Sequence, residues 1–192
     1  MLRRAFDVAV ASAALVVTAP VLAVAALAIR LESPGHVLYR QRRVGLHGRE
    51  FDVLKLRTMV HGAEGMGAGM AVAEGDPRIT RVGAFLRKTR LDEIPQLWNV
   101  LRGDMSLIGP RPERPAFVAQ LTQQIPYYGQ RHVVKPGVTG WAQVRYAYGA
   151  SVEDSLEKMQ YDLYYVKHMS MAFDLVIALE TIKIVVLRRG GR

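Results

Sequence analysis

The feature that most constrains this chain is an uncharged, apolar stretch near its N-terminus, from Val8 to Ile29. As a helix rising ~1.5 Å per residue, it would be about long enough to cross the ~30 Å hydrocarbon core of a bilayer. It is long for the hydrophobic part of a signal peptide, and no Ala-x-Ala-like cleavage site precedes a polar mature start. We therefore expect residues 1–31 to form a membrane helix and residues 32–192 to form one cytoplasmic domain.

Two features of the apolar stretch favour a re-entrant helix, which enters one leaflet and returns. Pro20 lies in the middle, where it removes a backbone hydrogen bond and is expected to break the helix. Arginines flank both ends, and the positive-inside rule draws both ends toward the cytoplasm. These arginines are Arg3 and Arg4 before the stretch and Arg30, Arg40, Arg42 and Arg43 after it. An ordinary transmembrane helix with a proline kink remains the alternative, because membranes tolerate kinked spans.

The composition bounds the classes of partner and of chemistry. A formal net charge of +9 in 192 residues indicates an anionic partner, but it does not choose among nucleic acid, an anionic membrane surface and phosphorylated small molecules. The chain contains no cysteine, which excludes disulfides, thiolate catalysis and a cysteine-based zinc site. Half of the residues are hydrophobic, enough for the core of a single domain.

The remaining pattern predicts an α+β fold that is mostly helical, with a short β element. Strands are predicted at 37–39 and at 51–59, where polar and apolar residues alternate. Ser151-x-x-Asp154 is a capping signature that begins a helix running to about His168. The mostly apolar segment from Met171 to Leu187 is expected to be an amphipathic helix in the membrane interface, and a core helix is the alternative.

A glycine-rich segment from His61 to Gly75 is predicted to be a long loop, either a lid over a site or a plain linker. Neither this segment nor any other has the glycine spacing of a P-loop or of a dinucleotide-binding fold. Nucleotide binding of those two kinds is therefore not supported. A helix is predicted to begin after the loop, at Asp76-Pro77.

Two adjacent carboxylates, Asp92 and Glu93, follow the basic segment 87–90 and precede Pro95. Proline is tolerated in the first turn of a helix, which places Asp92 at or near an N-cap. Sequence physics alone favours this capping role. The alternative is that cations keep Asp92 ionised, so that it acts as a nucleophile or as a metal ligand facing an anionic substrate.

Several basic residues are candidates to bind such an anionic substrate. Lys55 and Arg57 share one face of the predicted strand 51–59 and either bind phosphate or are simply solvated. Arg111 lies among three prolines that fix the backbone, so its guanidinium could clamp a phosphate at low entropic cost. A second rigid loop with a cation begins at Lys135-Pro136-Gly137. For both loops, a rigid surface turn is the alternative.

Taken together, the motifs resemble those of bacterial sugar transferases of the monotopic phosphoglycosyl transferase family, and specifically the exopolysaccharide type. Each motif alone is weak, whereas the set in this order is specific and covers nearly the whole chain. The motifs are Arg4-Ala5-Phe6-Asp7, Lys55-Leu56-Arg57-Thr58-Met59, Leu91-Asp92-Glu93-Ile94-Pro95-Gln96-Leu97, Gly103-Asp104-Met105-Ser106-Leu107-Ile108-Gly109-Pro110-Arg111-Pro112, Lys135-Pro136-Gly137-Val138-Thr139-Gly140 and Tyr161-Asp162-x-Tyr164-Tyr165.

The resemblance implies a Mg²⁺-dependent reaction in two steps, carried out by a catalytic domain on the cytoplasmic face of the bacterial inner membrane. Asp92 would attack the β-phosphorus of a UDP-sugar, release UMP and carry the phospho-sugar. The phosphate of a polyprenyl (undecaprenyl) lipid would then take the phospho-sugar from Asp92. Glu93 would complete the dyad and hold Mg²⁺ together with Asp92.

The resemblance also implies further site residues and partners. Arg111 would bind phosphate, with Lys55 and Arg57 as weaker candidates, and Asp162 would be a supporting carboxylate. Arg145 would contact the nucleotide, although the chain departs here from the Asn-Gly-Arg-Asn-like stretch of small family members. This variant resembles enzymes that use UDP-glucose or UDP-galactose, so the sugar stays open. A homo-oligomer is compatible with the family, and no nucleic-acid partner is expected.

A different class of function would also explain part of the sequence. A non-catalytic, membrane-tethered basic module that binds anionic lipid or nucleic acid accounts for the apolar helix and the net charge. It does not account for the carboxylate pair and the two rigid cation-bearing loops, and the chain offers no aromatics interleaved on a basic face. We therefore expect the transferase.

Overall fold

The structure is a computed structural model, and it describes residues 2–66, 75–146, 149 and 151–187. Most of the glycine-rich loop predicted between His61 and Gly75 lies outside these ranges. The same holds for positions 147, 148 and 150, within the segment that departs from the pattern of small family members.

The described chain is mostly helical with two small sheets, as the sequence predicts. Strands β1 and β2 pair antiparallel, and strands β3 and β4 pair parallel. In chain order the elements are α1 (Leu2–Glu32), β1 (Leu38–Val44), β2 (Glu50–Leu56), α2 (Arg81–Thr89), α3 (Gln96–Arg102), β3 (Ser106–Ile108), α4 (Pro115–Gln124), β4 (Gly137–Thr139), α5 (Trp141–Arg145), α6 (Val152–His168) and α7 (Met171–Val186).

Helix α1 is long and apolar enough to cross a membrane, by length and composition. The helical assignment continues through Pro20, so the break predicted at this residue does not appear as an interruption of the helix. Pro20 nevertheless donates no backbone hydrogen bond, and Thr18 hydroxyl donates to the Ala14 carbonyl one turn earlier, 2.6 Å away. The helix remains intact around a local weak point.

The N-terminal end of α1 is fastened to the domain by polar bonds. The Asp7 carboxylate accepts hydrogen bonds from Ser106 hydroxyl at 2.8 Å and from Leu107 backbone at 3.1 Å, both on β3. Arg4 donates to the carbonyls of the last turn of α3, and Arg3 forms an ion pair with Asp174 of α7 at 3.0 Å. Arg3 and Arg4, which the sequence suggested as determinants of membrane orientation, therefore also bind other parts of the chain.

The C-terminal end of α1 is fastened to the same domain. The Glu32 carboxylate accepts from the backbone amides of Arg81 and Val82, at 2.7 and 3.0 Å, and so binds the first turn of α2. Ile29 is buried in a cluster that contains Leu56 of β2 and Leu86 of α2. Both ends of this apolar helix are thus held by one domain.

Side chains that bind backbone amides fix the local structure at the starts of two helices, α2 and α6. Helix α2 begins at Arg81 with Thr80 as its N-cap, so the start predicted at Asp76-Pro77 is wrong. Asp76 instead binds the backbone amide and the guanidinium of Arg78, which fixes a turn before the helix. The capping box predicted at Ser151-x-x-Asp154 is confirmed at the start of α6.

The last helix, α7, divides its apolar residues between two faces. Ile177 is fully buried in a cluster with Tyr165 of α6 and Ile108 of β3. The opposite face leaves large apolar residues exposed, among them Leu175, Leu179, Ile182 and Val185. One face of this helix therefore belongs to the core, and the position of its exposed apolar face in the membrane interface stays a prediction.

Candidate active site

The carboxylate pair lies in a short 3-10 turn, Leu91–Glu93, between α2 and α3. Arg90 ends α2 in the left-handed conformation, with φ of 60°, and this reverses the chain direction. Pro95, rather than Asp92, occupies the N-cap position of α3, and no side chain caps that helix. The capping role predicted for Asp92 is therefore wrong, because an extra turn separates it from the helix.

Glu93 is the centre of an ionic cluster. Its Oε1 accepts from Lys55 Nζ at 2.7 Å and from Arg111 Nη2 at 2.9 Å, and its Oε2 lies 3.9 Å from an Arg90 nitrogen. Burial alone would raise the pKa of Glu93, but the charges of Arg111 and Lys55 outweigh burial and hold this pKa well below its usual range. Glu93 is therefore ionised at neutral pH and ties strand β2 to the Arg111 loop.

Asp92 has a different environment, although it is the next residue. It is 8% exposed, and no residue in the described part of the chain donates a hydrogen bond to its carboxylate. Burial raises the pKa of Asp92 and the charge of Glu93 adds to this effect, against the attraction of Lys55, Arg87 and Arg90. Sequence analysis expected cations to favour ionisation here, whereas the net effect runs the other way.

The surroundings thus lower the pKa of Glu93 and raise that of Asp92. Neighbouring groups whose pKa values are shifted in opposite directions often have different roles in a site. Glu93 accepts hydrogen bonds from Lys55 and Arg111 at Oε1 and acts as a fixed anion. Asp92 keeps its oxygens free of donors within the described ranges, and desolvation strengthens it as a base and as a nucleophile. The two neighbouring carboxylates therefore differ, because Glu93 binds cations and Asp92 has open oxygens.

A buried ion pair holds the loop that carries Arg111. Arg131 donates to Asp162 Oδ2 from Nε at 3.0 Å and from Nη2 at 2.7 Å. The same Nη2 donates to the Arg111 carbonyl at 2.9 Å, and Nη1 donates to Tyr128 hydroxyl at 2.7 Å. Asp162 therefore affects the site indirectly, because it binds Arg131, which in turn holds the backbone of Arg111. Sequence analysis missed Arg131, which stands outside every motif.

The two rigid loops predicted around Arg111 and Lys135 are joined by backbone contacts. The Gly109 amide donates to the Thr139 carbonyl, and the Gly137 amide donates to the Pro110 carbonyl, both at 2.9 Å. A Cβ at Gly109 would collide with the Lys135 carbonyl, so the close approach of the two loops requires glycine there. This rigid pair of loops presents Arg111 to Glu93.

Two of the predicted phosphate-binding residues have other contacts. Arg57 is buried, and its guanidinium donates to the carbonyls of Ser33 and Pro34 at 2.7 and 2.8 Å. These bonds fix the turn after α1, and phosphate binding by Arg57 stays a prediction. Arg145 lies over the ring of Trp141 at 5.0 Å, and no contact in the described structure links it to the carboxylates.

The carboxylate pair also suits a divalent cation bound together with a substrate. No group of three or more possible metal ligands occurs among the described residues. Mg²⁺, however, is commonly held by only one or two carboxylates together with substrate phosphates and water. The open oxygens of Asp92 fit this mode, with Glu93 as the neighbouring anion.

The site thus combines a buried carboxylate that has open oxygens with a second carboxylate bound by Lys55 and Arg111, next to a helix that is apolar enough to cross a membrane. The chain matches the family described as bacterial sugar transferase over residues 1–188, and it belongs to that family. The resemblance stated from the motifs is therefore confirmed.

Three relatives show the range of names in the family. The chain is 44% identical over 191 residues, all of its length, to a UDP-N-acetylgalactosamine-undecaprenyl-phosphate N-acetylgalactosaminephosphotransferase of Aeromonas hydrophila, and covers 45% of that protein. It is 44% identical over 95% of its length to a UDP-glucose:undecaprenyl-phosphate glucose-1-phosphate transferase of Escherichia coli, and covers 39% of it. It is 40% identical over 95% of its length to an exopolysaccharide production protein of Rhizobium leguminosarum, and covers 94% of it.

Proposed function

We propose that this protein transfers a phospho-sugar from a UDP-sugar to polyprenyl phosphate and releases UMP, as the first step of exopolysaccharide or glycan assembly. The observation that carries the proposal is the pair Asp92 and Glu93, in which one carboxylate binds the cations and the other keeps its oxygens open. The names of the relatives, which join UDP-sugars to undecaprenyl phosphate, support the same substrates. They differ in the sugar, so the sugar is not assigned.

In the first step, a carboxylate oxygen of Asp92 forms a bond to the β-phosphorus, and the bond from that phosphorus to the bridging oxygen breaks. The electron pair leaves with UMP, and the phospho-sugar remains on Asp92. Lys55 and Arg111, held by Glu93, present positive charge to the diphosphate, which an anionic nucleophile needs before it can approach.

In the second step, an oxygen of the polyprenyl phosphate attacks the phosphorus on Asp92. The bond from the phosphorus to the carboxylate oxygen breaks, the carboxylate is restored, and polyprenyl-diphospho-sugar leaves. One nucleophile thus serves two half-reactions in turn, which gives ping-pong kinetics. Asp92 and Glu93 would hold the Mg²⁺ that the family implies, and bound Mg²⁺ would neutralise the negative charge of the diphosphate.

We propose further that α1 is re-entrant and that the domain faces the cytoplasm at the inner membrane. A straight helix of 31 residues is ~46 Å long, so one that crossed the ~30 Å core would hold its ends on opposite sides. Yet Asp7 binds β3 and Glu32 binds α2, in one domain. Between these ends Val16 and Val17 are each 76% exposed, and a bend at Pro20, which donates no backbone hydrogen bond, would let this part of α1 enter and leave one leaflet.

The experiment that tests the proposed function measures UMP released by purified protein with Mg²⁺, several UDP-sugars and polyprenyl phosphate. Asp92→Asn is expected to abolish release, because the amide cannot form the covalent intermediate. Asp52→Asn, an equivalent change at an exposed aspartate, should leave it unchanged. If wild-type protein releases no UMP from any UDP-sugar, the transferase is refuted and the non-catalytic basic module remains.

A further inference from the structure

An apolar groove of about 620 Å³ runs between the second half of α1 and helix α2. This volume lies in the usual range of small-molecule sites. One wall is α1 and the other is α2, and Leu91 lies at the junction with the active-site turn. The lining includes Pro20, Val24 and Ala28 from α1 and Val82, Phe85 and Leu91 from the other side.

The groove is suited to a hydrocarbon chain. Among the described residues of its lining, Arg81 is the only charged one, and the others are aliphatic except for Phe85. Such walls offer side-chain contacts but few hydrogen bonds, so they do not suit a nucleotide or a sugar. Several lining residues are exposed. Val24, at 69%, lies on α1, the helix that is apolar enough for a membrane, and Phe85, at 60%, lies on α2. An occupant can therefore enter from the lipid phase.

The groove adjoins the candidate active site in the chain. Leu91 lines it and is directly followed by Asp92, within a single 3-10 turn. Consecutive Cα atoms are ~3.8 Å apart, so an amphiphile whose chain lies against Leu91 would have its headgroup near Asp92. Helix α2, the wall of the groove, also supplies Arg87 and leads to Arg90, two cations whose charges act on Asp92.

We propose that this groove binds the isoprenoid chain of the polyprenyl phosphate, in the part next to the phosphate, and so delivers the acceptor to Asp92. The proposal rests on the proposed function and adds the place of the acceptor to it. An acceptor held here takes part only in the second half-reaction. Changes in the groove should therefore alter the use of polyprenyl phosphate and leave the formation of the covalent intermediate intact.

The test uses full-length protein with Phe85→Ser, which removes an exposed wall of the groove. The KM for polyprenyl phosphate is expected to rise about tenfold or more, the usual loss for a missing contact in an apolar site. The single-turnover burst of UMP without acceptor should be unchanged. Val17→Ser is the matched control, because Val17 is exposed on the same apolar helix but does not line the groove.

A second variant, Ala28→Phe, fills the groove instead of opening it and should raise the same KM. Equal effects of Phe85→Ser and Val17→Ser would mean that only general membrane contact matters, and would overturn the proposal. An unchanged KM in both groove variants would also overturn the proposal. Relief of the defect by added phospholipid alone would overturn it as well, because the groove would then hold a bilayer lipid. Absence of the UMP burst in wild-type protein would instead refute the proposed function.

Discussion

Replacement of Asp162 by asparagine should show how far the active site depends on a buried ion pair. The side chains of Arg131 and Asp162 are 5% and 2% exposed, and two hydrogen bonds join them. Asparagine keeps the shape but leaves the Arg131 charge buried without a counter-ion, which costs about 3–5 kcal/mol. At about 2–4 °C per kcal/mol for a chain of this size, the melting temperature should fall by roughly 10 °C.

The assay is thermal unfolding in detergent, with UMP release measured in parallel. Glu180→Gln is the matched control: Glu180 pairs with Lys183 on the surface, where such pairs contribute about 0–1 kcal/mol, so its melting temperature should barely move. A melting temperature for Asp162→Asn within about 2 °C of wild type would refute the argument, because an unpaired buried guanidinium cannot cost so little.

A double variant, Arg131→Met with Asp162→Leu, separates stability from positioning. Apolar replacement of both partners of a buried pair is often neutral for stability, so the melting temperature should recover. UMP release by the double variant should be lower than that of wild-type protein, because the variant lacks the bond from Arg131 to the Arg111 carbonyl. Recovery of both properties would show that Arg131 has no positioning role.

Four further predictions concern the carboxylates, Lys55 and the membrane helix. Glu93→Gln should lower UMP release by about 10²–10³, the usual cost of one preorganised charge in an active site, measured with saturating UDP-sugar. Because burial and the charge of Glu93 raise the pKa of Asp92, its carboxyl group in metal-free protein should titrate above the usual range of an aspartate, as measured by NMR. Because burial lowers the pKa of Lys55, the rate of UMP release should fall at a pH below the usual range of a lysine, and Lys55→Arg should remove this alkaline limb. An alkaline limb that persists in Lys55→Arg would contradict this assignment. Single cysteines in place of Leu2 and Ser33 should be labelled by a membrane-impermeant reagent from the same side of the membrane. Labelling from opposite sides would indicate an ordinary spanning helix.

Sequence analysis was most successful where one local rule decides the structure. The Ser151-x-x-Asp154 box fixes the start of α6 through two short-range hydrogen bonds. The motif set also selected Lys55, Glu93 and Arg111, which the structure brings within hydrogen-bond distance of one another. These three residues come from separate motifs, so it was the family resemblance, and not periodicity, that joined them.

Sequence analysis was least successful where the environment of a side chain depends on distant parts of the chain. Lys55 and Arg57 share a strand face by period two, but β2 ends at Leu56, and Arg57 turns to the carbonyls after α1. Arg131 lies in no motif, and its role depends on Asp162, a partner 31 residues away. No local pattern encodes such a contact.

The same limit explains the electrostatics of the carboxylate pair. Counting cations near Asp92 and Glu93 predicts that both stay ionised, yet the cations are not shared equally. Lys55 and Arg111 bind Glu93, and this leaves Asp92 buried beside a fixed negative charge. The direction of a pKa shift depends on which oxygen receives each donor, and that is a property of the folded structure alone.

This unequal division has a consequence for how two unlike substrates can share one nucleophile. Glu93, which follows Asp92, holds Lys55 and Arg111, the cations that would neutralise a diphosphate. Leu91, which precedes Asp92, lines the apolar groove, where a lipid chain would lie. Under the proposed function, the nucleotide-sugar and the lipid phosphate then use different neighbours of Asp92 and react with it at different times. A ping-pong reaction requires this order, because the covalent phospho-sugar stays on Asp92 while UMP leaves and the lipid phosphate arrives.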